Sequence, residues 1–331
     1  MLNVFSAPQS AATARVDWSK DLGKTLYGKP SMSGDQVVLG SFDEVHCQLH
    51  RLDLNSGANI STVDVSHQGN LEGEMNGRVV LRSVDGTLVG SDSQSGERVW
   101  GYQGNGYPGA VAISDQLTVV GGRNSLTGIK PEGESISLQY NLPVRNALGI
   151  TLTPEGGVLA QTQDGKLYNI TPQGTLSWAT QVEAGSPKHQ PVVAPDGTIY
   201  TVGFGGTLTA LDPNGATQWQ YRMNESYVNN PSPGPNGEVV TSTFKGNVTC
   251  LEGKTGDVKW NHKTDSNVDK TFVHKDGTVF FHNRNTLTAL DGETGAIKQE
   301  LPLPEGEIVQ APDGSLVLST REGTVKRIVL E

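Results

Sequence analysis

The stretch DGTIYTVGFGGTLTALDPNGATQW, Asp196 to Trp219, is read most simply as short strands joined by tight turns. Asp196-Gly197 opens an alternating run, Thr198 to Val202, because Asp-Gly and Asn-Gly pairs tolerate the positive φ of a tight hairpin. A turn through Gly206 leads into Leu208 to Leu211. Asp212-Pro213-Asn214-Gly215 is a third turn built from turn-forming residues, and the run after it carries Trp219. A first strand, Gln190 to Ala194, precedes the stretch and completes a unit of four.

Working outward, the same unit recurs. EGGVLAQTQDGKLYNITPQGTLSW ends at Trp178, NGEVVTSTFKGNVTCLEGKTGDVKW at Trp260, and NGRVVLRSVDGTLVGSDSQSGERVW at Trp100. In each a glycine stands four residues before the tryptophan: Gly96, Gly174, Gly215 and Gly256. Weaker copies place Ser61, Ser137 and Gln299 at the tryptophan position, four residues after Gly57, Gly133 and Gly295. The series Ser61, Trp100, Ser137, Trp178, Trp219, Trp260, Gln299 advances by 37 to 41 residues per step. A last copy begins at Pro312 and ends before its fourth strand, and Val16-Asp17-Trp18 has the character of that missing strand. Repeats of about 40 residues with four strands each are the signature of propeller blades. The expectation is an all-β, eight-bladed propeller spanning residues 14–331 as one domain, closed by its N-terminal strand, with residues 1–13 as a loose polar tail.

Composition agrees. Forty-one glycines among 331 residues is about 12%, against roughly 7% in ordinary proteins, and no segment keeps a helical period. With 25 basic and 35 acidic residues the net charge is −10. That balance disfavours nucleic acid or an anionic membrane as the main partner, since both reward clustered Lys and Arg. Every apolar run is broken well short of 18 residues, so no membrane-spanning helix is expected. Neither a signal peptide nor a lipidated cysteine is evident near the start, which makes the cytoplasm the default compartment. Cys47 and Cys250 cannot form a disulfide framework and read as small buried residues.

The strand ending Ala-Leu-Asp, followed by Thr-Gly or Asn-Gly and then tryptophan four residues after glycine, resembles the pyrroloquinoline-quinone-type (PQQ-like) propeller repeat. Ala210-Leu211-Asp212 with Gly215 and Trp219 matches well, as does Ala289-Leu290-Asp291 with Thr294-Gly295. The resemblance covers nearly the whole chain after the tail. It implies that Trp18, Trp100, Trp178, Trp219 and Trp260 dock each blade on the next. One branch of that family, the quinoprotein dehydrogenases, holds its cofactor between a tryptophan and adjacent disulfide-bonded cysteines, over a calcium ion. The present chain has no Cys-Cys pair and no tryptophan outside the docking register, so neither cofactor nor metal is expected. The other branch comprises cofactor-free propellers that bind proteins, such as the lipoprotein of the outer-membrane barrel-assembly machinery. That branch suggests a periplasmic or secreted setting as the alternative to the cytoplasm.

Other motifs resolve into structure. His46 and His50 would lie about 13 Å apart on a strand, too far to share a metal. Ser91 to Gly96 aligns with the ordinary third turn, and Gly203 to Gly206 joins strands instead of opening a helix, so it is no phosphate loop. Function is expected on the blade-to-blade crossings, which ring the channel mouth and vary without disturbing the scaffold. These read as residues 24–30, 67–73, 101–109, 139–149, 181–190, 223–233, 263–270 and 301–307. Within them Tyr107, Arg145, Lys188, His189, Tyr227 and Asn230 are the candidate contact residues, combining area with adaptable hydrogen bonds. Hairpin turns such as those at Asp164 and Asp276 are expected on the opposite side of the disc. The expected function is a monomeric, non-enzymatic module that binds a protein partner. The alternative is an enzyme working at the channel mouth, either a PQQ-dependent dehydrogenase or a hydrolase or lyase without a recognisable motif.

Overall fold

The computed structural model describes residues 13–42, 47–65, 69–83, 85–103, 109–122, 125–133, 135–136, 147–185, 189–225 and 228–331. Among them there is no helix. The strands in chain order are β1 (Ala14–Asp21), then β2 (Leu26–Ser33), β3 (Gln36–Phe42), β4 (Cys47–Asp53) and β5 (Asn59–Val65). There follow β6 (Asn70–Met75), β7 (Arg78–Arg82), β8 (Leu88–Asp92) and β9 (Arg98–Tyr102), then β10 (Val111–Ile113), β11 (Thr118–Gly121), β12 (Leu126–Ile129) and β13 (Ser135–Ile136). Next come β14 (Ala147–Leu152), β15 (Val158–Thr162), β16 (Lys166–Ile170) and β17 (Leu176–Gln181), then β18 (Val192–Val193), β19 (Ile199–Val202), β20 (Thr207–Leu211) and β21 (Thr217–Arg222). The last are β22 (Ser232–Pro233), β23 (Glu238–Ser242), β24 (Asn247–Glu252) and β25 (Val258–Lys263), β26 (Lys270–Val273), β27 (Val279–Asn283), β28 (Thr286–Leu290) and β29 (Ile297–Pro302), and finally β30 (Glu307–Gln310), β31 (Leu316–Ser319) and β32 (Thr324–Leu330).

From β10 to β29, each consecutive set of four strands forms one antiparallel sheet. Strands β2 to β9 form a single sheet in the order β5-β4-β3-β2-β6-β7-β8-β9, whose two antiparallel halves meet at a parallel bridge between Gly28 and Leu71. Gly28 has φ +81° there, a conformation that favours glycine. This bridge draws residues expected in crossings into strands. β2 starts at Leu26 and β6 at Asn70, inside the stretches 24–30 and 67–73, and Tyr27 pairs with Gly40.

The ring closes with β1. It pairs antiparallel with β32, from Ala14 opposite Leu330 to Asp21 opposite Thr324, so the last sheet takes strands from both ends of the chain. Thr13 and Glu331 exchange backbone hydrogen bonds beyond the strand ends. The flanking sheet reaches across as well. Gln299, at the tryptophan position of β29, accepts from the Ala14 N–H through Oε1 at 2.6 Å and donates through Nε2 to the Ala14 carbonyl at 2.8 Å.

Burial explains the strand compositions. Second strands β15 and β27 are buried at every position, and β3 and β7 at all but their end residues, because both faces of each sheet are covered by neighbours. The fourth strands β17, β21 and β29 alternate between exposed and half-buried residues and form the rim. The core consists of clusters between sheets. One unites Phe272, Phe280 and Leu287 with Ile308, Leu316 and Ile328, and another unites Val240 and Val248 with Val279 and Phe281.

Antiparallel order also fixes the sides of the disc, and here one expectation is corrected. The turn between second and third strands returns to the side of the crossings. Val182 N–H donates to the Gly165 carbonyl, Met223 N–H to Gly206, and Thr264 N–H to Gly246. The turn holding Asp164 therefore lies with the crossings, and only first and third turns, such as that at Asp276, lie opposite.

Candidate functional site

Four of the five tryptophans make one recurring contact. The Trp219 ring lies against Gly256 of the following sheet, so close that a Cβ on Gly256 would stand 2.6 Å from it, and Gly256 has φ +76°. Trp219 Nε1 donates to the Gly253 carbonyl at 2.7 Å, which Tyr200 Oη also approaches. The same approach recurs for Trp18 on Gly57, Trp178 on Gly215 and Trp260 on Gly295, whereas Trp100 nears Gly133 with its Cβ and Cγ and lays its ring against Gly90 of its own sheet. Trp18, Trp178 and Trp260 donate to the carbonyls of Leu54, Pro213 and Gly292. Trp100 and Trp260 are buried, whereas Trp178 and Trp219 keep part of the ring in solvent.

Of the candidate contact residues, Tyr107, Arg145, Lys188 and Tyr227 lie outside the described residues. The structure places the remaining two in neighbouring crossings. His189 is buried, with its carbonyl packed over Gly149. Asn230 is half-buried, and its Oδ1 accepts from Gln190 N–H at 3.0 Å, tying its crossing to that of His189. Asn229 extends the chain of contacts, donating to Ser242 Oγ at 2.9 Å and to the Val268 carbonyl at 2.7 Å. These asparagines fasten three successive crossings together. At the next junction Lys270 donates to the Ile308 carbonyl at 3.2 Å and lies 5.3 Å from the Phe272 ring. Burial lowers its pKa to about 8, and burial raises that of neighbouring Asp269.

Sequence reasoning passed over the two most exposed aromatic rings among the described residues of this side. Phe204 and Phe244 occupy the same position of the second turn in neighbouring sheets and are 55% and 49% exposed. Phe204 N–H donates to the Ala184 carbonyl, which joins this turn to the 181–190 crossing. Glu183 lies over Gly203 and Gly205 and accepts from Thr207 N–H through Oε2 at 2.9 Å, holding the turn in place. The signal was present in the repeat alignment: Gln163, Arg284 and Arg321 hold this position in other copies, where Phe204 and Phe244 are apolar.

Among the described residues, no three His, Cys, Asp or Glu side chains are grouped so as to hold a metal ion. Cys47 and Cys250 are buried free thiols in different sheets, and burial pushes the Cys250 pKa up to about 12.

Sheets of four antiparallel strands, closed by the N-terminal strand and keyed by tryptophan on turn glycine, define a β-propeller built of PQQ-like repeats. The sequence matches the family described as outer membrane protein assembly factor BamB over residues 46–204 and 205–303, and the chain belongs to that family. No curated protein matches it in sequence. Among solved structures it is similar to the computationally designed Ika8 protein, with TM-score 0.73 and 17% identity over 93% of this chain and 97% of that one. It is also similar to BamB from Moraxella catarrhalis, with TM-score 0.52 and 16% identity over 98% and 92%. Sqt1 from Saccharomyces cerevisiae gives TM-score 0.74 and 11% identity over 93% and 97%. At these identities the likeness is one of fold.

Proposed function

We propose that this chain is a non-enzymatic, cofactor-free propeller that docks a protein partner on the face carrying the blade-to-blade crossings. Counting the two halves of the eight-stranded sheet separately gives eight blades, within one domain of residues 14–331. In this reading the tryptophans lock each blade to the next, so the scaffold stays rigid while its crossings vary. The observation that carries the proposal is the pair Phe204 and Phe244, half-exposed at equivalent turns of adjacent sheets. Large apolar rings exposed together at the surface mark interaction sites, and aromatic residues are enriched where interfaces are centred. In this reading Tyr107, Arg145, Lys188, Tyr227 and Asn230 contact the partner together with them, and His189 acts from beneath by holding its crossing in place. The separation of the two thiols into different sheets supports the cofactor-free reading over the quinoprotein one.

The experiment is replacement of Phe204 and Phe244 together by serine. Both side chains are exposed, so the melting temperature should stay within about 2 °C, while capture of the partner from the native cell falls at least tenfold, the loss expected of hot-spot residues. Alanine at Tyr227 and Arg145 should act in the same direction. Undiminished capture by both double variants would reject this face.

A further inference from the structure

Among the described residues Lys270 makes no ion pair; its ammonium bonds only to the Ile308 carbonyl, across the junction with the last sheet. Lys270 stands directly opposite His282 in the ladder of β26 with β27. Opposed residues share a face of the sheet, with Cβ atoms about 4.5–5.5 Å apart. The next pair on that face, Phe272 with Phe280, packs in one core cluster with Ile308, Leu316 and Ile328. Lys270 thus lies half-buried at the crossing end of an apolar junction.

His282 has no exposed surface, and neither ring nitrogen makes a well-formed hydrogen bond. Burial lowers its pKa against a smaller opposing pull from the Pro304 carbonyl, so the ring is neutral at neutral pH. It adds no charge beside Lys270 and keeps at least one nitrogen unused. Two exposed groups do act on Lys270. Lys29 on β2 adds its repulsion to burial in lowering the pKa, and Glu307 on β30 opposes both. Asp269, Glu305 and Arg284 sit at the same junction and act on one another.

An amine of pKa about 8 is unprotonated in roughly a fifth of molecules at pH 7.4, against about one in a thousand for an ordinary lysine. A free amine is a nucleophile, and its surroundings select the electrophile. The half-buried position favours a small, uncharged one. An aldehyde would need an acid to expel water from its adduct, and neutral His282 is not one. Lys29 repels an ammonium at this point and would attract an anion formed there.

We infer that Lys270 is a carbon dioxide site, at which Nζ forms a carbamate. The amine lone pair attacks the carbon, the N–C bond forms as one C=O π bond breaks onto its oxygen, and one N–H proton passes to solvent. The product keeps the other N–H for the Ile308 carbonyl and carries a negative charge beside Lys29 where the ammonium carried a positive one. This chemistry asks nothing of a protein partner, so it stands apart from the docking proposed above.

The test is carbon-13 NMR of the full chain in labelled bicarbonate near neutral pH. A carbamate resonance should appear and be lost in Lys270→Arg, while any carbamate on the α-amine persists in both. Lys29→Ala removes the repulsion that frees the amine and the attraction that holds the product, so occupancy should fall by roughly threefold or more. Glu307→Gln removes the opposing charge and should raise it. Both residues are exposed, so both variants should fold. Absence of a Lys270-dependent resonance, unchanged occupancy in Lys29→Ala, or a fall in Glu307→Gln overturns the inference. Should Lys270→Arg fail to fold, trapping the carbamate as its ethyl ester with triethyloxonium and locating it by peptide mass spectrometry decides: Lys270 supports the inference, and any other lysine overturns it.

Discussion

Removal of residues 1–21 is expected to lower the melting temperature by more than about 15 °C, whereas removal of residues 1–12 should change it by less than about 2 °C. The longer deletion takes away all of β1, which supplies the fourth strand of the last sheet and buries Ala14 in the adjoining core. Trp18 goes with it, and Trp18 carries the contact on Gly57 and the hydrogen bond to Leu54. A loss of several kcal/mol follows from burial alone, and each kcal/mol moves the midpoint of a domain this large by about 2–4 °C. The bared edge of β32 would also pair with other molecules, so the truncated chain should elute as higher oligomers. Gln299→Ala, which removes two hydrogen bonds to Ala14, should cost about 1–3 kcal/mol. Equal melting of the two truncations would show that ring closure does not depend on β1.

The second large effect concerns the indoles. Trp260→Ala should cost about 3–5 kcal/mol in denaturant unfolding, the range for emptying a large buried site. Trp260 is 7% exposed, sits in the cluster with Val279 and Phe281, and donates to Gly292 at 2.8 Å. Trp178 makes the same kind of hydrogen bond but stands half in solvent, so Trp178→Ala should cost about 1–2 kcal/mol. The difference between the two is the informative quantity. Equal losses, or a loss below about 1 kcal/mol at Trp260, would show that the indoles do not hold the sheets together.

The fold was legible because it repeats. A glycine four residues before tryptophan keeps its register through Gly96, Gly174, Gly215 and Gly256, and the four strands around each pair follow from turn chemistry. Closure was legible for the same reason, since Val16 to Trp18 is a fourth strand lacking the other three. Features that depart from the repeat could not be read in the same way. The parallel bridge of Gly28 with Leu71 depends on how two halves of a sheet approach one another, which no local pattern encodes. The side taken by the Asp164 turn follows from strand direction, a matter of topology more than of residue type. Gln299 looked like a lost tryptophan, yet its amide reaches Ala14, a partner 285 residues away in sequence. The crossings have no periodicity to read, and four of the six contact candidates there lie outside the described residues. Phe204 and Phe244 lie in second turns that the sequence did locate, but those turns were not expected on the crossing side, so their rings were not weighed as contacts.

The central claim is that the crossing face meets a protein partner. Its most direct test places a photoreactive phenylalanine analogue at position 204, at 244, or at 214, in the native cell. Asn214 is an exposed residue of a third turn on the opposite side. The account predicts a discrete protein adduct from positions 204 and 244 and none of that mass from 214. An adduct from 214 alone, or none from 204 and 244, would contradict it.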